Sequence, residues 1–274
     1  MRLASRFTGT APAIRSDRPL SDDQIARVAP SIYADAAHES RSGRYAYIPT
    51  GDVLGALRKE GFEPFFACQT KVRDADRLEH TKHMLRLRHA DQINGRQANE
   101  IVLLNSHDGS SSYQMLAGMF RFVCQNGMVC GENVGQVRVP HKGDIIGRVI
   151  EGAYEVLDGF KAADEQREGM QALTLKAGEQ VAYARAALAL RYEGTDLPPI
   201  SEDQLLVPRR SEDRSADLWT TFNRVQENML KGGLRGRTRN GRSTTTREVR
   251  GIDQSVKLNR ALWVLAEELR RLRG

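Results

Sequence analysis

The stretch NSHDGSSSYQMLAGMFRFVCQNGM, residues 105 to 128, contains the side chains that nucleophilic catalysis uses. His107 could act as a base, Asp108 could orient it, and a serine or Cys124 could attack a substrate. Adjacent side chains in a strand or turn point apart, however, and no Gly-x-Ser-x-Gly elbow is present. We therefore interpret the stretch as scaffold made of a strand, a turn and a helix, and we do not expect an enzyme.

Metal and cofactor motifs are also weak. His80, His83 and His89 would not converge if they lie on an extended strand, and no Cys-x-x-Cys pair or carboxylate set completes a site. The glycines of GGLRGRTRNG lack the Lys-Ser/Thr ending of a phosphate-binding loop, and no dinucleotide fingerprint is present. The sequence predicts no metal site and no cofactor.

The helix predicted inside the opening stretch follows a spacing of three and four residues. The serines before it would cap it, and Asn126-Gly127 would end it. The residues on its apolar face are Tyr113, Leu116, Ala117, Phe120, Val123, Cys124 and Gly127. For the core of the whole protein we expect Phe62, Leu116, Phe120, Val123, Trp219, Leu262 and Trp263.

The surrounding elements divide the chain into three zones. Residues 1–43 form an N-terminal arm with a short helix capped by Ser21. Residues 44–144 predict a β-α-β-β-β-α core, and residues 145–274 predict a helical C-terminal region, so the fold class is α+β. The predicted strands cover 44–48, 63–74, 81–92 and 99–109, with a helix that Gly61 closes; the later helices cover 145–172, 174–192, 212–231 and 253–273.

Charge and composition favour a cytoplasmic protein. No apolar run is long enough to span a membrane, we expect no secretory leader because the first residues lack an apolar stretch, and three cysteines argue against a disulfide framework. The net charge is +6, and residues 231–250 alone carry seven Lys/Arg against one Glu. Since all other charges cancel, this basic loop predicts an anionic partner.

Cations also follow the predicted strands. Because alternate residues of a strand share a face, Lys71, Arg73, Lys82, Arg86 and Arg88 would face solvent, with Tyr45 and Tyr47 nearby. One interpretation is a solvated face offset by Asp74, Asp76 and Glu79; the other is a groove for single-stranded nucleic acid. Likewise, Arg235, Arg237, Arg239 and Arg242 of the basic loop would contact phosphates and gate the groove, or would belong to a disordered loop without a function.

Several segments resemble a known family. YAYIPTGDVLGALRKEGFEPFFACQTKVR, KHMLRLRH, EIVLLNSHDGSSSYQMLAGMFRFVCQNGMV and GIDQSVKLNRALWVLAEEL are similar to the phage- and plasmid-encoded YfjQ/YafZ-like group, a domain of unknown function. The resemblance covers the chain from Arg44 onward. More distantly, the β-α-β-β-β-α order resembles the core of Rad-fifty-two-type single-strand annealing proteins.

The distant resemblance implies a curved antiparallel sheet followed by an extended helical part. It also implies a homo-oligomeric ring that holds single-stranded DNA in a basic groove, with roles for Arg44, Tyr45, Tyr47 and Arg121. We expect annealing of complementary strands in recombination or repair, in a bacterial cytoplasm, with a single-strand-binding protein of the host or element as a further partner. The alternative is an accessory or anti-defence protein of a mobile element that binds a host protein.

Overall fold

A computed structural model describes residues 13–40, 47–72, 75–94, 97–131, 134–139, 145–194 and 197–273. The N-terminal elements are β1 (Ala13–Arg15), α1 (Asp22–Val28) and α2 (Thr50–Lys59). Ser21 caps α1 as predicted, because its side chain accepts from the Gln24 N–H while the Gln24 side chain accepts from the Ser21 N–H. The predicted helix that Gly61 closes is also confirmed, and the φ of Gly61 is +86°, a conformation that favours glycine.

Eight strands of the described residues form one antiparallel sheet. They are β1, β2 (Phe62–Gln69), β3 (His83–His89), β4 (Ile93–Asn94), β5 (Gln97–Asn105), β6 (Tyr113–Arg121), β7 (Asn126–Val129) and β8 (Gln136–Val139). The order is β1-β2-β3-β5-β6; β7 and β8 share the far side of β6, and β4 pairs with the start of β5. Thus β2, β3 and β5 confirm three predicted strands. The strand predicted for 44–48 falls largely outside the described residues, and Tyr47 and Ile48 lie in no strand.

The C-terminal half is helical, as expected, with one hairpin. It contains α3 (Ile145–Ala172), α4 (Ala177–Arg191), α5 (Glu202–Leu206), α6 (Leu218–Lys231), β9 (Arg235–Arg237), β10 (Ser243–Thr245) and α7 (Ile252–Arg273). Two glycines let α3 pack closely against the sheet and the segment before β8. A Cβ on Gly152 would lie 2.6 Å from the Met115 methyl group, and a Cβ on Gly159 would overlap the Val134 carbonyl. The protein is therefore an α+β protein with a curled antiparallel sheet and C-terminal helices.

Both faces of the sheet are covered. The main core joins one face, through residues such as Leu85, Leu103 and Met115, to α1, α2, α3, α4, α6 and α7. A smaller cluster occupies the other face: Cys68, Met84, Val102, Leu104, Leu116, Val129 and Ile252. Ile252 begins α7, so the start of the last helix covers the face that the sequence predicted to be a solvent-exposed cationic surface.

The helix predicted between Tyr113 and Gly127 is wrong. Residues 113–121 form β6, in which Met115 and Met119 belong to the main core while Leu116 belongs to the cluster on the other face. A strand that is buried on both faces has a nearly continuous apolar sequence, which also satisfies a helical spacing. Val123, expected in the core, follows β6 in a 3-10 turn and is 42% exposed. The other six expected core residues are buried.

Candidate nucleic-acid interface

Two of the predicted phosphate-binding cations, Arg86 and Arg88, lie inside the protein and not on its surface. They are 4% and 2% exposed, and both pair with the fully buried carboxylate of Glu100. Arg86 Nη1 donates to Glu100 Oε2 at 2.8 Å, and Arg88 Nε donates to Glu100 Oε1 at 2.9 Å. The alternation of β3 is as predicted, but the exposure is wrong because the start of α7 and the segment before it cover this face.

Arg15 of β1 adds a third guanidinium group beside Arg86 and Arg88. Its Cζ lies 5.0 Å from the centre of the Phe66 ring and 4.9 Å from that of Phe120, while Arg88 stacks over Phe120 at 4.3 Å. No carboxylate of the described residues is within ion-pairing distance of Arg15. Desolvation by the surrounding groups, followed by repulsion from Arg86, lowers the pKa of Arg15 to about 10, although the residue as a whole is exposed. Three guanidinium groups therefore surround one carboxylate, and we call Arg15, Arg86, Arg88 and Glu100 the arginine cluster.

A cavity of about 320 Å³ opens beside the arginine cluster, between this face of the sheet and residues 230–255. Arg15, Arg86 and Phe66 line it from the sheet, and Lys231 and Arg250 line it from the covering segment. Gln125, which also lines it, has a φ of +50°, an uncommon conformation for a residue other than glycine. We call this space the arginine cavity.

The basic loop contains a β-hairpin, formed by β9 and β10. Arg237 pairs with Ser243 and Arg235 with Thr245, and the Arg237 N–H donates to the Pro199 carbonyl at 2.9 Å. The tip is closed by the Thr238 N–H, which donates to the Arg242 carbonyl, and by Gly241 at a φ of +76°. The exposed arginines of this segment are Arg235, Arg237, Arg239, Arg242, Arg247 and Arg250.

Partners for these arginines differ along the hairpin. Arg250 pairs with Glu248 at 3.0 Å. Among the described residues, no carboxylate lies within ion-pairing distance of Arg235, Arg237 or Arg242. After β10 the chain continues directly through residues 248–250 along the wall of the arginine cavity.

The remaining predicted site residues are dispersed. Lys71 is exposed beyond the end of β2, and Lys82 pairs with Asp253 at 2.8 Å, at the first turn of α7. The Tyr47 hydroxyl donates to the Ala34 carbonyl, and its ring packs 4.8 Å from the ring of His107. Arg44, Tyr45 and Arg73 lie outside the described residues.

Arg121 ends β6, and its predicted position on a helix is wrong for the same reason as the helix itself. It donates to Asp213 at 2.6 Å, and Arg210 donates to the same carboxylate at 2.5 Å. Arg210 also binds both oxygens of Glu227, which raises the pKa of Arg210, and Lys231 donates to Glu227 at 2.8 Å. This network connects the end of β6 to α6 and orients Lys231 toward the arginine cavity.

His107 and His83 belong to a buried polar cluster. Their rings lie 5.1 Å apart, and the two nitrogens of His83 are each 3.0 Å from a hydroxyl, Nδ1 from Ser31 and Nε2 from Thr50. Burial, followed by repulsion from His107, lowers the pKa of His83 to about 3. The Asp108 carboxylate accepts from the Ser110 N–H at 2.9 Å and so shapes the turn before β6.

The described ranges contain no group of three or more His, Cys, Asp or Glu side chains that could hold a metal ion. They also contain no helix that is long and apolar enough to cross a membrane.

Sequence reasoning missed Arg15 and Glu100. A signal for Glu100 was present, because it is the one carboxylate in the apolar run ANEIVLLN, and a charged residue in a doubly buried strand requires a partner. Arg15 had no comparable signal, since its place depends on the pairing of β1 with β2.

The fold and this site define an α+β protein with a buried arginine cluster and an exposed arginine hairpin. The chain belongs to the family described as "Domain of unknown function (DUF932)", whose model matches residues 37–263. It is 62% identical to "UPF0380 protein YfjQ" and 61% identical to "UPF0380 protein YafZ", both of Escherichia coli strain K12. Each alignment covers 98% of this chain and 97% of the relative, which confirms the YfjQ/YafZ-like resemblance. No solved structure matches the chain.

Proposed function

We propose that this protein binds single-stranded DNA and anneals complementary strands, in a homo-oligomeric ring and without a cofactor. The observation that carries the proposal is the hairpin of β9 and β10, on which Arg235, Arg237 and Arg242 are exposed and have no carboxylate partner among the described residues. Exposed guanidinium groups without a carboxylate partner are available to phosphates, and contacts to phosphates require no particular base sequence.

The arginine cavity favours a single strand over a duplex. A volume of about 320 Å³ lies near the lower limit for small-molecule pockets, so it has room for one nucleotide and not for a base pair with its two backbones. Phe66 in its wall offers a ring beside a cationic group, as in other single-strand sites. The chain runs from the hairpin into this wall, which would give a bound strand a continuous path.

Arginines that neutralise the phosphates of a bound strand would also favour its annealing to a complementary strand. Pairing of complementary strands is downhill, and the protein would need only to reduce the repulsion between two backbones and leave the bases accessible. The ring and the annealing step are what the distant resemblance to Rad-fifty-two-type proteins implies, and we propose with them a role in recombination or repair for a mobile element, beside a single-strand-binding protein.

The test is fluorescence anisotropy of labelled single-stranded and duplex oligonucleotides. We expect tight single-strand binding, and a variant with Arg235→Gln, Arg237→Gln and Arg242→Gln should bind far more weakly. The control removes three exposed arginines elsewhere, Arg27→Gln, Arg148→Gln and Arg271→Gln, so that the net charge changes equally. Equal affinity of the two variants would refute the role of the hairpin, and absence of single-strand binding at low salt would refute the function.

Annealing and assembly require their own measurements. Complementary strands that carry a donor and an acceptor dye should pair faster with the protein than alone, and the hairpin variant should lose this acceleration. Light scattering should show a homo-oligomer. Unchanged pairing rates despite tight binding would reduce the proposal to a single-strand-binding protein.

One observation favours the alternative, binding of a host protein by an accessory or anti-defence protein. An apolar groove of about 810 Å³ lies between α4 and α7, where Leu190 and Val264 are each 44% exposed. Charged residues surround it: Glu193, Arg260, Glu267, Glu268 and Arg271. Absence of single-strand binding, together with a purified protein complex that Val264→Glu disrupts, would favour this alternative.

A further inference from the structure

We infer that the arginine cavity is a binding site for a phosphate group of a nucleotide, with Arg15 and Arg86 as the residues that contact it. The inference deepens the proposed function, because the phosphate would be one of those in the bound strand. It has its own basis in the arginine cluster, however, and it is tested separately from the hairpin.

The first reason is an imbalance of charge. Arg15, Arg86 and Arg88 bring three positive charges to the single carboxylate of Glu100. Like charges repel one another, and repulsion from Arg86 contributes, after burial, to the lowered pKa of Arg15. Glu248 also lines the cavity, but it pairs with Arg250 at 3.0 Å, so an anion between Arg15 and Arg86 would supply a negative partner that Arg15 does not find among the described carboxylates.

The second reason is that Arg86 keeps donors available. Its Nη1 serves both Glu100 and the Met128 carbonyl. Its Nε and Nη2 make no hydrogen bond to a described residue, and Arg86 lines the cavity. A guanidinium edge with two N–H groups matches two oxygens of a phosphate.

The third reason is that the backbone makes room for this guanidinium. A Cβ on Gly127 would lie 2.6 Å from both Cζ and Nη1 of Arg86, so only glycine at this position lets the arginine occupy its place. Gln125, two residues earlier, adopts the left-handed conformation and lines the same cavity. Strained backbone of this kind is concentrated at ligand sites.

The ligand class follows from the size of the cavity and from the other residues that line it. The volume of about 320 Å³ exceeds what a bare anion fills. Phe66 provides an apolar ring from the sheet, and Lys231, Arg250 and Ser255 provide further donors from the covering segment, where Glu248, the partner of Arg250, also lines the cavity. A nucleotide combines both chemistries, and it could be a free phosphomonoester or a phosphodiester within a strand.

Calorimetric titration with deoxythymidine monophosphate, inorganic phosphate and thymidine distinguishes these features. We expect saturable binding of the monophosphate, weaker binding of inorganic phosphate and none of thymidine. Arg15→Gln should lower the affinity for the monophosphate by about 10-fold or more, because one charge-assisted contact is lost. Arg18→Gln, an exposed neighbour that does not line the cavity, is the matched control and should change nothing.

An oligonucleotide arm separates the two sources of phosphate. If the site holds a phosphodiester, Arg15→Gln should reduce the salt dependence of single-strand binding by about one contact, whether or not the monophosphate binds. Monophosphate binding that depends on Arg15 in a protein that does not bind oligonucleotides would support the site and refute the proposed function. Oligonucleotide binding that Arg15→Gln leaves unchanged, without monophosphate binding, would refute the site and leave the proposed function standing.

Discussion

Replacement of Glu100 by glutamine should strongly destabilise the protein. The carboxylate is fully buried and accepts from Arg86 and Arg88 at 2.8 and 2.9 Å. The amide has nearly the same shape but no charge, so both guanidinium groups would remain buried without an anion. Breaking a buried pair by removal of one partner costs about 3–5 kcal/mol. For a chain of this size the melting temperature should fall by about 6–15 °C, at about 2–3 °C per kcal/mol.

Urea denaturation followed by circular dichroism measures this change in the free energy of unfolding. The matched control is Glu268→Gln, which removes the partner of Arg271 in a pair of similar length, 2.8 Å, where both side chains are more than half exposed. That change should cost less than about 1 kcal/mol, since water screens an exposed pair. If Glu100→Gln costs no more than Glu268→Gln, the arginine cluster is solvated, and our account of the arginine cavity is wrong.

Three further results are expected. Gly159→Ala should destabilise the protein because its Cβ would overlap the Val134 carbonyl, whereas Gly178→Ala, which meets nothing within 4 Å, should be neutral or raise stability by up to about 1 kcal/mol in thermal melts. His83 has a pKa of about 3 in the folded state and about 6.5 in the unfolded state, so the unfolded state binds more protons between these values and stability should fall as the pH falls through this range. In His83→Gln the urea midpoint should decline less steeply with falling pH. An unchanged decline would contradict the assignment of this pKa to His83. Burial raises the pKa of the Cys130 thiol, so a thiol reagent should label it only after unfolding, and rapid labelling of Cys130 in the folded protein would contradict its burial.

The sequence predicted local structure better than surface position. Alternation on β3 correctly placed Arg86 and Arg88 on the face opposite Leu85 and Leu87. Whether that face meets water depends on a segment far along the chain: Lys82 contacts Asp253, separated from it by 171 residues. No pattern within the strand contains this information, so the two arginines looked like a solvent-exposed groove.

The helix predicted between Tyr113 and Gly127 was wrong for a different reason. The run from Tyr113 to Gly127 fits a helical period because β6 is apolar on both faces, although Gly118 in the middle of β6 is a signal against a helix. A Cβ on Gly118 would stand 2.8 Å from Val102 and 2.9 Å from the Met128 carbonyl, which explains a glycine at the centre of a sheet. The arginines of the hairpin were recognised from composition alone, because exposed charge needs no knowledge of the fold.

The salt dependence of single-strand binding tests the central claim most directly. Each phosphate contact contributes about 0.7 to the slope of log K against log salt for single strands. Removal of Arg235, Arg237 and Arg242 should therefore make the slope shallower by about 2 and weaken binding by about 100-fold near 0.1 M salt. The variant that lacks Arg27, Arg148 and Arg271 should keep the slope of the unmodified protein. Equal slopes for all three proteins, or no binding at low salt, would contradict the claim that this hairpin holds single-stranded DNA.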